Sequence, residues 1–243
     1  MSYNFYTGEI ILIDKPLGWT SFQAVNKLKH GIKNHSSFHH ESAFAKASAD
    51  NGKKVKPKIG HAGTLDPLAT GLLIICTGKK TKEIEQFMGL TKEYTGTFFI
   101  GATTPCYDLE KPIDHTFPTD HITEEKILAV AKNFIGKQEQ VPPLFSAIQI
   151  NGKRAYTHAR VGDAIELKPR QIEIFEFEIT KIEMPLVSFR IVCGKGTYIR
   201  SIARDFGLAL NSGAHVTELR RTKIGPYDVK DAVSPEEFVD QLK

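Results

Sequence analysis

The chain holds 243 residues, 41% hydrophobic and 25% charged, enough to bury one large domain with or without a small insertion; disordered and collagen-like classes are excluded. The longest apolar run near the start, Ile10 to Ile13, falls far short of a signal-peptide core or the roughly 20 residues of a membrane helix, which predicts a cytoplasmic protein with no membrane partner. Net charge is +4, yet residues 27 to 82 hold eleven lysines against Glu41, Asp50 and Asp66; this concentration points to a polyanion such as RNA, with a solvated lysine face as the alternative.

Glu9 to Asp14 reads as a strand that stops at the turn Lys15-Pro16-Leu17-Gly18. A helix follows, capped by Thr20 or Ser21, with Ala24, Leu28 and Ile32 as its apolar stripe, joined by Phe22 and Val25; the stripe stops near Gly31. From Asn34 to Lys58 the chain is rich in Ser, Ala, Lys and His and reads as a basic loop. Leu72 to Cys76 is an apolar run expected of a strand covered on both faces. Ile84, Phe87 and Met88 mark a short helix, and Lys92 to Gly101 alternates, placing Tyr94, Gly96, Phe98 and Ile100 on one face of a strand. Glu124 to Phe134 reads as a helix with Ile127, Leu128 and Ala131 on one side, and Gln138 to Lys168 as a loop with a hairpin turn at Asn151-Gly152. Two alternating strands follow, through Phe175, Phe177 and Ile179 and through Val187, Phe189, Ile191 and Cys193. A helix then carries Ile199, Ile202, Ala203, Phe206 and Leu210 and ends before Gly213. Strands cluster without regular βαβ alternation, so the class is α+β with a mixed, mainly antiparallel central sheet flanked by helices. Cys76, Cys106 and Cys193 are odd in number and form no C-x-x-C pair, as expected of buried free thiols.

The densest anomaly is Gly60-His61-Ala62-Gly63-Thr64-Leu65-Asp66-Pro67-Leu68-Ala69-Thr70-Gly71, three glycines, a proline, a histidine and a carboxylate just before a buried strand. Glycines let backbone approach a ligand, and a turn can project a side chain into a cleft. The bland reading stays open, because Asp before Pro is common in turns and a lone histidine is more often structural. No phosphate-binding G-x-x-x-x-G-K-[ST] pattern occurs. His35, His39 and His40 could ligate a metal, but no matched carboxylate set supports this and a solvated loop is the better reading.

Leu12-Ile13-Asp14-Lys15-Pro16, Gly60 to Gly71, and Gly194-Lys195-Gly196-Thr197-Tyr198-Ile199-Arg200-Ser201 together resemble the three motifs of the bacterial tRNA pseudouridine-55 synthases of the TruB type. Pro142 to Ala147 and Leu219-Arg220-Arg221-Thr222 are similar to that family too, and the likeness runs in order from about Gly8 to the C-terminus. It implies the pseudouridine synthase fold and isomerisation of the T-loop uridine of tRNA by base flipping, with no metal or organic cofactor. It also implies a role for each matching residue. Asp66 is the catalytic aspartate, His61 contacts the flipped nucleotide and Tyr94 stacks on the target base. Tyr198 lies beside the carboxylate, Arg200 pairs with it, Leu219 forms an apolar wall, and Lys15 and Pro16 shape the floor. The chemistry agrees, since an ionised carboxylate must attack the ribose or take a proton from it, and an arginine keeps it charged in a dry pocket. Taken singly, Tyr94 also fits a core position, and Tyr198 and Arg200 the edge of an amphipathic helix.

Two departures stand out. Residues 34–58 exceed the family's usual link, so they read as an inserted basic loop; residues 102–111 carry Cys106 and Lys111 where relatives show a threonine and a glycine, with Asp108 kept. The expectation is a single catalytic domain over 1–243, with an RNA-contacting loop or hairpin at about 138–168 and no C-terminal RNA-binding module of the PUA type. The T arm of tRNA is the expected partner, with no obligate protein partner and a monomeric state. The competing readings are a non-catalytic RNA-binding or tRNA-folding module and, more distantly, an rRNA pseudouridine synthase working with a guide RNA.

Overall fold

The computed structural model describes residues 3–5, 7–35, 58–146, 149–150, 153–154 and 167–243. In chain order the elements are β1 (Ile10–Lys15), α1 (Ser21–Asn34), β2 (Ile59–His61), β3 (Ala69–Thr77), α2 (Ile84–Gly89), β4 (Lys92–Ile100), β5 (Ala102–Thr103), β6 (His115–Thr116), α3 (Glu124–Asn133), β7 (Gly136–Gln140), β8 (Gln149–Ile150), β9 (Lys153–Arg154), β10 (Arg170–Glu183), β11 (Leu186–Cys193), α4 (Ile199–Ala209), β12 (Ala214–Ile224), β13 (Tyr227–Asp228) and α5 (Pro235–Asp240). They form two compact units, Met1–Lys92 with Arg220–Lys243, and Glu93–Leu219. Most of the inserted loop, including His39 and His40, and much of the 138–168 segment lie outside the described residues.

In the first unit β1 runs antiparallel to β3, from Ile10 opposite Cys76 to Lys15 opposite Gly71, and β2 adds to β3 with His61 opposite Ile75. A period of two sends Leu73 and Ile75 to one face of β3 and Leu72, Ile74 and Cys76 to the other, and both faces are buried. The first face meets Ala24, Val25, Leu28 and Ile32 of α1 and Phe238 of α5; the second meets Phe87 and Ile224. Thr20 caps α1 by accepting from Gln23 N, and the Gln23 side chain returns to the Thr20 amide. The helix continues past Gly31 to Asn34 because α5 packs there, where a Cβ on Gly31 would come within 3.0 Å of Val239. Phe22 is exposed, outside the stripe.

In the second unit the order is β4, β11, β10, β7, with β10 antiparallel to both neighbours. Val187, Phe189, Ile191 and Cys193 all point inward, as their alternation predicts. On β10 the expectation fails at Phe175, which is 43% exposed, because a bulge between Ile174 and Glu176 resets the alternation and buries Ile172, Ile174 and Phe177. In α3 Val130, not Leu128, completes the buried face with Ile127 and Ala131; Leu128 follows Ile127 by one residue and so turns about 100° away. The helices α3 and α4 bury these faces together with Phe98, Phe177, Phe189 and Phe206, and the Phe98 and Phe189 rings lie 4.2 Å apart. Residues 138–140 belong to strand β7 rather than a loop, and β8 and β9 pair on either side of Asn151-Gly152. All three cysteines are buried thiols that form no disulfide.

Candidate active site

The loop from β2 to β3 that carries Asp66 is fixed from several directions within the first unit. Gly71 takes φ +102°, and a Cβ there would lie 2.3 Å from the Arg221 carbonyl oxygen, so no larger residue fits. The Arg221 guanidinium is buried; its Nε donates to Leu72 O at 2.8 Å, and its terminal nitrogens reach Gly63 O at 3.4 Å and Thr64 O at 3.5 Å. Ser21, at the start of α1, accepts from Leu65 N at 2.9 Å and donates to Leu65 O at 3.2 Å. Gly18 N donates to Pro67 O and Ala69 N to Asp66 O. The peptide groups on both sides of Asp66 are thus held, while its half-buried carboxylate projects from a backbone with little freedom.

Lys15 ends β1 with its side chain folded back under the Lys-Pro turn, donating from Nζ to Pro16 O at 2.9 Å and Trp19 O at 2.6 Å. Burial pushes its ammonium down to about 8, Asp66 acting against that shift and Arg221 with it. A protonated Lys15 in turn favours ionised Asp66. Arg220 holds Asp14 in a two-point contact of 3.0 and 2.6 Å and reaches Thr70 Oγ1 at 3.4 Å. His61 sets Nδ1 3.3 Å from Gly63 O, and since a carbonyl only accepts, that nitrogen carries the proton. Burial lowers the imidazole below its ordinary range and Arg221 adds to this, so the ring is neutral near pH 7 and offers Nε2 as an acceptor.

The second unit holds Tyr94, Tyr198, Arg200 and Leu219. Tyr94 on β4 and Leu219 on β12 are half-buried against the phenylalanine core. Tyr198 is the N-cap of α4 and makes no side-chain cap bond, a place usually given to Ser, Thr, Asp or Asn. Gln140, at the end of β7, holds this residue by its main chain: Oε1 accepts from Tyr198 N at 2.9 Å and Nε2 donates to Tyr198 O at 3.1 Å. Arg200 is 4% exposed, donates to Cys106 O at 3.2 Å and Phe145 O at 2.9 Å, and lies 3.4 Å from the buried Asp108 carboxylate. Cys106 contributes a backbone carbonyl, so its departure from the family's threonine leaves this bond to Arg200 intact.

Of the expected residues, Lys15, Pro16, His61 and Asp66 therefore belong to the first unit, and Tyr94, Tyr198, Arg200 and Leu219 to the second. Sequence reasoning took Ser21 only as a candidate helix cap, and gave no site role to Gln140 or Arg221. Neither Arg221 nor Gln140 carries a local signal, since a period of two places Arg221 on the opposite face of β12 from buried Ile224. Among the described residues no group of three metal-ligating side chains occurs, and no helix is long and apolar enough to cross a membrane.

The architecture is that of the pseudouridine synthases. It matches a crystal structure of a Cbf5–Nop10–Gar1 complex with a TM-score of 0.69 and 28% identity, covering 98% of this chain and 55% of that one. A structure of an H/ACA RNP bound to a substrate RNA containing 2'-deoxyuridine gives 0.66 and 26%, over 98% and 54%. The chain spans about half the length of these solved relatives. Within that class it belongs to the TruB family of pseudouridylate synthases, whose N-terminal domain model matches residues 51–199; the tRNA pseudouridylate synthase B C-terminal domain model matches residues 200–243. It is 56% identical to a tRNA pseudouridine synthase B of Flavobacterium johnsoniae over 98% of both chains. A protein of that name from Phocaeicola vulgatus is 51% identical over 98% of this chain and 95% of its own.

Proposed function

We infer that the chain is a tRNA pseudouridine synthase that isomerises the T-loop uridine, with Asp66 as its catalytic carboxylate. The observation that carries this reading is the presentation of Asp66, a half-buried acid on a loop tied at Leu65, Asp66 and Pro67 and beside the charge of Lys15. In the reaction the bond from ribose C1′ to uracil N1 breaks and one from C1′ to C5 forms; C5 gives up its proton and N1 gains one, so no external reactant is consumed. Ionised Asp66 attacks the ribose or takes a proton from it as the first bond weakens. The nucleotide must leave the stacked T loop, and the Tyr94 ring replaces the lost stacking. Tyr198 and Leu219 confine the detached base, Arg200 is the arginine whose charge serves the reaction, neutral His61 accepts a hydrogen bond from the flipped nucleotide, and Lys15 and Pro16 set the floor.

The two units work as one catalytic domain, acting as a cytoplasmic monomer on tRNA alone, with the 138–168 segment and the lysine-rich window taking up RNA. The test is pseudouridine formation on unmodified tRNA, mapped by position. Conversion at the single T-loop uridine is expected. Binding without conversion would make the chain a tRNA-folding module, and conversion elsewhere would overturn the substrate.

A further inference from the structure

We propose that Gln140 is a positioning residue for the isomerisation, setting the place of Tyr198 and Arg200 through the backbone at the start of α4. This rests on the function inferred above. Tyr198 occupies an N-cap position where its own side chain caps nothing. The buried Gln140 amide, only 3% exposed, meets both polar groups of that residue's main chain, as a neighbouring strand would. Adjacent bonds extend the connection: Ser201 Oγ donates to Val141 O at 2.9 Å, Arg204 donates to the same carbonyl at 3.2 Å, and Arg200 donates to Phe145 O. Residues 140–145 and the first two turns of α4 are therefore stitched by five hydrogen bonds, each using a side chain of one partner and backbone of the other. A site whose side chains must be placed to within a fraction of an ångström needs such support, and a misplacement of about 1 Å can cost about 100-fold in rate. The amide is specific to the task because it offers one acceptor and one donor at the same tip.

Single-turnover pseudouridine formation, RNA affinity and thermal unfolding would be measured on the full chain for wild type, Gln140→Met and Gln140→Glu. Wild-type inactivity would refute the function itself rather than this inference. With wild type active, Gln140→Met should slow the chemical step at least tenfold while Kd for the RNA changes less than twofold. An unchanged rate, or a loss of affinity equal to the loss of rate, would overturn the proposal. The carboxylate of Gln140→Glu can accept from Tyr198 N but repels Tyr198 O, whereas its protonated form restores the donor. Its rate relative to wild type should therefore rise severalfold from pH 8 to pH 5.5. A pH-independent ratio would overturn the proposal, and this comparison decides the matter if Gln140→Met does not fold.

Discussion

The loop bearing Asp66 and the turn entering α4 both present polar side chains from a fixed backbone, yet they are fixed in different ways. Around Asp66 the constraints fall on the loop's own main chain: a left-handed glycine at Gly71, carbonyls aimed at Arg221, and peptide groups tied to Ser21 and Gly18. At Tyr198 the local sequence lacks a cap, and the support comes from Gln140, 58 residues earlier in the chain. Main-chain demands restrict which residues can occupy a loop, and so they mark the sequence. Support from a distant side chain leaves no mark near the residue it holds.

The largest expected effect separates the shape of the Asp66 loop from its charge. Asp66→Asn keeps the volume and removes the ionised oxygen, so single-turnover pseudouridine formation should fall by about a thousandfold or more while tRNA binding persists. Appreciable turnover, with deamidation excluded by mass spectrometry, would make Asp66 a turn residue only.

Next in size is the buried scaffold. Arg221→Met leaves Leu72 O, Gly63 O and Thr64 O without their donor, at a cost of about 3 kcal/mol. For a chain of this length that lowers Tm by roughly 6–12 °C. The control is Arg190, which faces three carboxylates, Glu93, Glu176 and Glu178, but lies at the surface. Arg190→Met should cost under about 1 kcal/mol, since exposed ion pairs are screened and their side chains must be ordered. Equal losses in the two variants would show that carbonyl contacts do not hold the loop.

These two arginines also mark what the sequence could and could not reveal. The glycine-dense stretch from Gly60 to Gly71, the capped start of α1 and the inward alternation of Val187 to Cys193 were all readable, because each follows from local periodicity or backbone geometry. Strand β12 is hidden in the sequence, since in A-H-V-T-E-L-R-R-T-K-I the polar Glu218, Arg220 and Thr222 interrupt the face of Ala214, Val216 and Ile224 while a buried arginine, Arg221, lies on the other. Helix α5 was overlooked although Ser234, Pro235 and Glu237 spell a capping box. The bulge at Ile174 and the anchoring by Gln140 depend on pairing between separate strands and segments, which local pattern does not record.

The smallest effect concerns the charge beside Asp66 and can be followed by pH alone. Lys15 is held near 8 in the folded chain by burial, against an ordinary value of 10.5. Below pH 8 both folded and unfolded chains carry the proton, so its contribution is flat. Between about pH 8 and 10.5 the unfolded chain holds a proton that the folded chain has released, and stability must rise with pH through that window. The neutral amine still has two N–H groups, enough for Pro16 O and Trp19 O, so the turn persists as the charge leaves. Urea unfolding of wild type and Lys15→Met at pH 7.5, 8.5 and 9.5 should show the difference between them growing in favour of wild type, by at most about 1.4 kcal/mol per pH unit. A constant difference would mean that Lys15 stays protonated throughout and that its burial is offset by charge from Asp66 and Asp14. A growing one would mean that Asp66 loses the positive charge of Lys15 at alkaline pH.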